Sequence, residues 1–168
     1  ATCSKSPLLK PLIWGSPKAK IVLEEYSAPT CHICGIFSHY ILPKLEKKYI
    51  ETGLVRLEVY CLHYNKTDLK LAALIYQMPN PKQFYLFLLQ NQELWLDKEN
   101  PLKEVAQLAR KFKMTPKAID KALNNPRIEG DIVCQRMMCE QKGPITALPI
   151  FKIARVNIQG LLPWEDFD

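Results

Sequence analysis

The tetrad Cys31-His32-Ile33-Cys34 stands where a short β-prone run, Ile21 to Tyr26, gives way to an amphipathic helical run. Two thiols separated by two residues at the first turn of a helix approach closely enough to bond. The first lies exposed beyond the helix end and the second lies one turn inside. First-turn N–H groups have no intrahelical partners and carry the positive end of the helix dipole, so a thiolate is stabilised there. Cys31 is therefore expected as the acidic, nucleophilic thiol, and a protonated His32 beside it lowers its pKa further.

The pattern around the tetrad sets the architecture. Residues 1–20 hold Pro7, Pro11, Gly15 and Pro17 and read as an extended arm, with order beginning near Lys20. Ile21 to Tyr26 reads as a buried strand and Thr30 as the N-cap of the next helix. Ile33, Phe37, Tyr40, Ile41, Leu45 and Tyr49 form one apolar face that runs to Gly53, and Pro43 is expected to kink it. Val55 to Leu62 alternates as a second strand. Helical segments follow near 67–77, 81–90, 101–112, 115–124 and 127–142, with Pro81, Pro101, Pro116 and Pro126 at their starts. Ile150 to Ile153 and Val156 to Ile158 read as an antiparallel pair, and Pro163-Trp164-Glu165 as a last helix start. The order predicts an α/β chain, a thioredoxin-like fold from 1–62 and 145–168 with an all-helical insertion over 63–144.

A chain of 168 residues with 48% apolar composition supports one good core. Its net charge of +6 is spread among acids, as in Glu46-Lys47-Lys48, without a basic stripe or interleaved aromatics, so nucleic-acid binding is not expected. No run of about 18 apolar residues is present to span a membrane, and the N-terminus lacks signal-peptide regions, so an exported protein is expected here in its mature form. Six cysteines, an even number, favour an oxidising compartment. Cys3, Cys61, Cys134 and Cys139 allow three pairings. Positions five apart on a helix diverge by about 140° and rise about 7.5 Å, which disfavours both a Cys134–Cys139 bond in an unbroken helix and a four-thiolate zinc site with Cys31 and Cys34. Either that helix is interrupted, or Cys61 or Cys3 takes one partner. Cys3 as a lipid anchor is disfavoured by Thr2 before it. His39 and His63 are expected to face solvent, and Phe84, Phe87, Leu88, Trp95 and Leu96 to fill a helical core.

The stretch Ile21 to Gly35 with its CHIC tetrad, the long helix, the helical insertion and Ala147-Leu148-Pro149-Ile150-Phe151 together resemble the DsbA-like thiol:disulfide oxidoreductases over residues 13 to 168. The resemblance implies a protein disulfide oxidoreductase of the periplasm that acts mainly as a dithiol oxidant for exported proteins. Cys31 would be the attacking cysteine, Cys34 its partner, Pro149 a cis-proline against the disulfide, Leu148 the tuning and substrate-contact residue before it, and Glu25 a buried acid moving protons. His32 and Ile33 would set redox poise; familiar oxidases carry Pro-His there, and Val or Thr at the position of Leu148. The implied centre needs no metal and no cofactor beyond the Cys31–Cys34 disulfide. Implied partners are unfolded or partly folded exported proteins with cysteines and a DsbB-like membrane protein that restores the disulfide. A reductase or isomerase on the same scaffold, and a binding or chaperone module in which CHIC is structural, are the alternatives.

Overall fold

The computed structural model describes Cys3, residues 9–153 and the backbone of 156–159. The helix start expected at Pro163-Trp164-Glu165 lies outside the described residues. Five strands, β1 (Leu12–Trp14), β2 (Ile21–Ser27), β3 (Val55–Cys61), β4 (Ile150–Ile153) and β5 (Val156–Gln159), form one sheet in the order β1-β3-β2-β4-β5. β2 and β3 run parallel, joined by α1 (32–50), while β1, β4 and β5 pair antiparallel. Between β3 and β4 lie α2 (Lys66–Gln77), α3 (Pro81–Gln90), α4 (Pro101–Ala109), α5 (Pro116–Leu123) and α6 (Pro126–Glu140).

The helix starts follow from side-chain chemistry. Asn80, Asn100, Thr115 and Asn125 each accept the N–H three residues on, and each precedes a proline whose missing donor is no loss in the first turn. α1 meets its internal proline differently. Pro43 has no N–H and its ring crowds the carbonyl four residues back. The expected disturbance takes the form of a widened turn over Phe37–Ile41, in which Leu42 N–H donates to Phe37 O, five residues back.

The N-terminal arm departs from expectation. Leu12 and Trp14 alternate with Ile13, and this three-residue run between Pro11 and Pro17 pairs with β3, Leu12 opposite Val59 and Trp14 opposite Leu57. Regular structure therefore begins well before Lys20. Gly15 ends the strand at φ +107°, where a Cβ would lie 2.8 Å from Val55 O. One sheet face carries Leu12, Trp14, Leu23, Leu57, Val59 and Phe151, all buried. Phe37 of α1 packs on Phe151 with ring centroids 4.8 Å apart, and Trp14 meets Tyr85 of α3 at 6.2 Å. Each such side chain contributes on the order of 2–3 kcal/mol by leaving water. Phe84, Leu88 and Trp95 are fully buried, whereas Phe87 and Leu96 are partly covered.

Candidate active site

β2 ends at Ser27, and Ala28-Pro29-Thr30 carries the chain to the first turn of α1. The N-cap is Cys31, not Thr30: the Cys31 backbone is extended, and its Sγ accepts Cys34 N–H at 3.1 Å. Thr30 is engaged elsewhere, its N–H and hydroxyl donating to Asp68 at 2.8 and 2.9 Å. Cys31 and Cys34 are bonded as a disulfide with Cα atoms 5.2 Å apart. Cys31 is more enclosed than a thiol standing free of the helix end, at 6% exposure, yet it is the more exposed of the two residues, since Cys34 is at 0%. His32 and Ile33 are exposed on the outer side of the turn.

Two buried side chains from the helical segment hold this turn. Gln92, in the short turn Gln92–Leu94 after α3, donates from Nε2 to Pro29 O at 3.0 Å and to Cys31 O at 2.9 Å. Gly35 leaves room for it, because a Cβ there would lie 2.7 Å from Gln92 Cδ and 2.9 Å from Leu89 O. Asp68, at 0% exposure in the first turn of α2, accepts the two Thr30 donors and Tyr64 N–H. Burial pushes its carboxyl above the ordinary value, with the donors from Tyr64 and Thr30 opposing the shift. Tyr64 in turn receives Leu148 N–H on its hydroxyl. The Leu148–Pro149 peptide bond is cis, and Ile150 opens β4 opposite Tyr26, at the end of β2 that leads to Cys31. Beside His32 a cavity of about 540 Å³ opens between α1 and the Gln92 turn, floored by Ile36, Leu89 and Leu96.

Glu25 lies on the buried sheet face at 1% exposure with Oε2 unpartnered. Burial raises its carboxyl to about 8. Its face also holds Ser27, whose hydroxyl is 2.7 Å from Tyr85 Oη, and Cys61, paired with Ser27 in register.

The remaining cysteines divide. Cys3 is bonded to Cys134 of α6, which rules out the lipid anchor on Cys3 and removes Cys134 from any four-thiolate set. α6 is unbroken, and Cys61 and Cys139 are free and buried. Burial raises both thiols. Among the described residues no three His, Cys, Asp or Glu side chains gather as a metal site requires. His39 is exposed as expected, but His63 is half-buried with Nδ1 covered, because its turn is pinned by Arg136 donating to His63 O.

Gln92, Asp68 and Tyr64 were not among the residues that the sequence pointed to. A signal existed for two of them. Gln92 falls in step with Leu88, Leu89, Trp95 and Leu96, and Asp68 with Leu71, Ala72 and Ile75, so each is a polar residue on an apolar side.

A central sheet with one parallel pair, a dithiol at the start of the helix between those strands, and a cis X-Pro loop beside β4 define a thioredoxin-fold protein with a CxxC disulfide. The chain belongs to the thioredoxin family, whose model matches residues 9–168. It is similar to alpha-DsbA1 of Wolbachia pipientis, 26% identical with a TM-score of 0.80 over 95% of this chain and 90% of that one. Oxidised BdbD of Bacillus subtilis shares the fold at 18% identity, with a TM-score of 0.79 over 95% and 92% of the two chains. Among curated sequences it is similar to proteins provisionally named protein-disulfide oxidoreductases. That of Rickettsia felis is 25% identical over 91% of this chain and 60% of the relative, and that of Rickettsia prowazekii 22% over 88% and 56%. The chain thus spans less than two thirds of the length of those relatives.

Proposed function

We propose that this chain is a DsbA-type oxidant that transfers its Cys31–Cys34 disulfide to exported proteins. The observation that carries the reading is Cys31 as the N-cap of α1, its sulfur receiving Cys34 N–H at 3.1 Å. A client thiolate attacks Cys31 Sγ, the Cys31–Cys34 bond breaks, and Cys34 leaves as a thiolate that takes up a proton. A second client thiolate then attacks the client sulfur of the mixed disulfide, and Cys31 leaves as a thiolate. The client loses two electrons and the Cys31–Cys34 pair gains them. A stabilised Cys31 thiolate drives the second displacement forward, since a low-pKa sulfur leaves faster and stabilises the reduced form.

In this reading neutral Glu25 exchanges the proton that Cys34 needs. The Leu148–Pro149 loop and exposed Ile33 meet the client backbone, and His32 tunes Cys31. The helical stretch 63–144 is an insertion into the fold formed by 1–62 and 145–168. The site of action is the periplasm, and a DsbB-like membrane protein restores the disulfide. The test is the redox equilibrium of Cys31 and Cys34 against a glutathione series, with thiols trapped in acid and counted by mass. An oxidant lies well above glutathione; a potential clearly below it refutes the oxidant and makes the chain a reductase. Oxidation of a reduced client peptide should vanish in Cys31→Ser. Retained activity there would mark a binding module instead.

A further inference from the structure

Gln92 is 61 residues from Cys31 in sequence and touches the turn that carries it. Its side chain is 8% exposed, and its own backbone is held firmly. Gln92 O accepts Trp95 N–H and Leu96 N–H at 3.1 and 2.8 Å, and Trp95, itself fully buried, donates from Nε1 to Leu88 O at 3.0 Å. Gln90 adds a second tie to α1 by donating to Ser38 O at 3.1 Å. The amide is therefore presented to the redox turn at a fixed place.

Both hydrogens of that amide go to carbonyls beside the reactive sulfur, those of Pro29 and Cys31. The oxygen ends of these groups carry partial negative charge. Without the Gln92 amide, and with Cys31 O keeping only Gly35 N–H at 3.1 Å, they would oppose the charge of a thiolate at Cys31 more strongly, but they would matter much less to an uncharged disulfide. Donation from Gln92 cancels part of that negative potential. It also fixes the Cys31 peptide so that Cys34 N–H remains aimed at Sγ. The consequence differs between the two redox states, which separates it from ordinary structural support.

We propose that Gln92 is a positioning residue of the redox centre, donating to the Pro29 and Cys31 carbonyls so that the Cys31 thiolate is favoured and the disulfide is more oxidising. The inference rests on the exchange reading above. Gln92→Met keeps length and apolar fit and removes both donors, and Gln92→Glu keeps shape and turns donors into acceptors. With two hydrogen bonds removed, Gln92→Met should weaken the equilibrium oxidising strength against glutathione about tenfold, or about 30 mV for a two-electron couple. The thiolate absorbance of Cys31, followed against pH, should shift to higher pH. Gln92→Glu should move both further. A role confined to stability would lower the unfolding midpoints of both redox forms and leave potential and thiolate titration in place. That result overturns the proposal. If Gln92→Met does not fold, Gln92→Asn is read in its place, one methylene too short to reach both carbonyls, with the same shifts expected. A wild-type chain that exchanges nothing with glutathione overturns the exchange reading and this one with it; wild-type exchange with unshifted variants overturns this one alone.

Discussion

Replacing Glu25 by Gln should remove a pH dependence of stability that the wild-type chain carries. The carboxyl is 1% exposed and raised by burial from 4.5 to about 8, so the folded protein keeps its proton where the unfolded chain has lost it. Between those two values the native state binds the extra proton, and stability falls as pH rises. Each tenfold difference in proton affinity between the folded and unfolded chains is worth about 1.36 kcal/mol. Raising pH from about 4.5 to about 7 should thus cost the wild type about 3 kcal/mol, and the loss should level off near 4–5 kcal/mol above about pH 8. The Gln amide resembles the protonated carboxyl in shape and does not titrate, so the variant should match the wild type near pH 4.5 and exceed it increasingly above. The assay is guanidinium unfolding of the oxidised protein across this range, with the difference between the two chains cancelling every other titrating group. Parallel curves for wild type and Glu25→Gln would refute the reasoning, since they would mean that Glu25 ionises in the folded state as readily as in the unfolded one.

Other substitutions probe the supports of the site. Replacing both Cys3 and Cys134 by Ser opens a closure of 131 residues and should cost about 5 kcal/mol of non-reducing unfolding free energy, chiefly by freeing the unfolded chain; a loss under about 1 kcal/mol would contradict this. Gly35→Ala should cost about 1–3 kcal/mol, because the new methyl meets Gln92 and Leu89 O, and joining it to Gln92→Ala should recover part of that loss. Strict additivity in that cycle would remove the argument for contact. Asp68→Asn turns one acceptor oxygen into a donor facing Tyr64 N–H and should cost about 2–3 kcal/mol by chemical denaturation, with a change under about 0.5 kcal/mol counting against the network.

The parts of the fold legible in the sequence were those with short-range causes. The CHIC tetrad after an apolar run, the prolines at helix starts and the alternation over Val55–Cys61 are local patterns, and the chain adopts them locally. β1 was hidden because its three residues stand among prolines and gain their regularity only from β3. Thr30 resembled a cap until Asp68, 38 residues on, drew its donors away. Gln92 shows in the sequence only as a polar residue in step with an apolar side, with no motif to mark its role. Its meaning comes from a turn folded back on Cys31 and from the space left at Gly35, neither of which spacing along the chain encodes. The partner of Cys134 was likewise a matter of where the N-terminus runs, which no local rule specifies.

Cys61 and Cys139 bear on the exchange reaction proposed for this chain. Exchange proceeds through the thiolate, and these two residues are enclosed at 1% and 3% exposure with their thiols raised by burial. In the proposed reaction neither would compete with a client for the sulfur of Cys31, and neither would draw the molecule into scrambled linkages with its own copies. Close packing would thus make the protein a poor substrate for that reaction, leaving its reactivity directed outward.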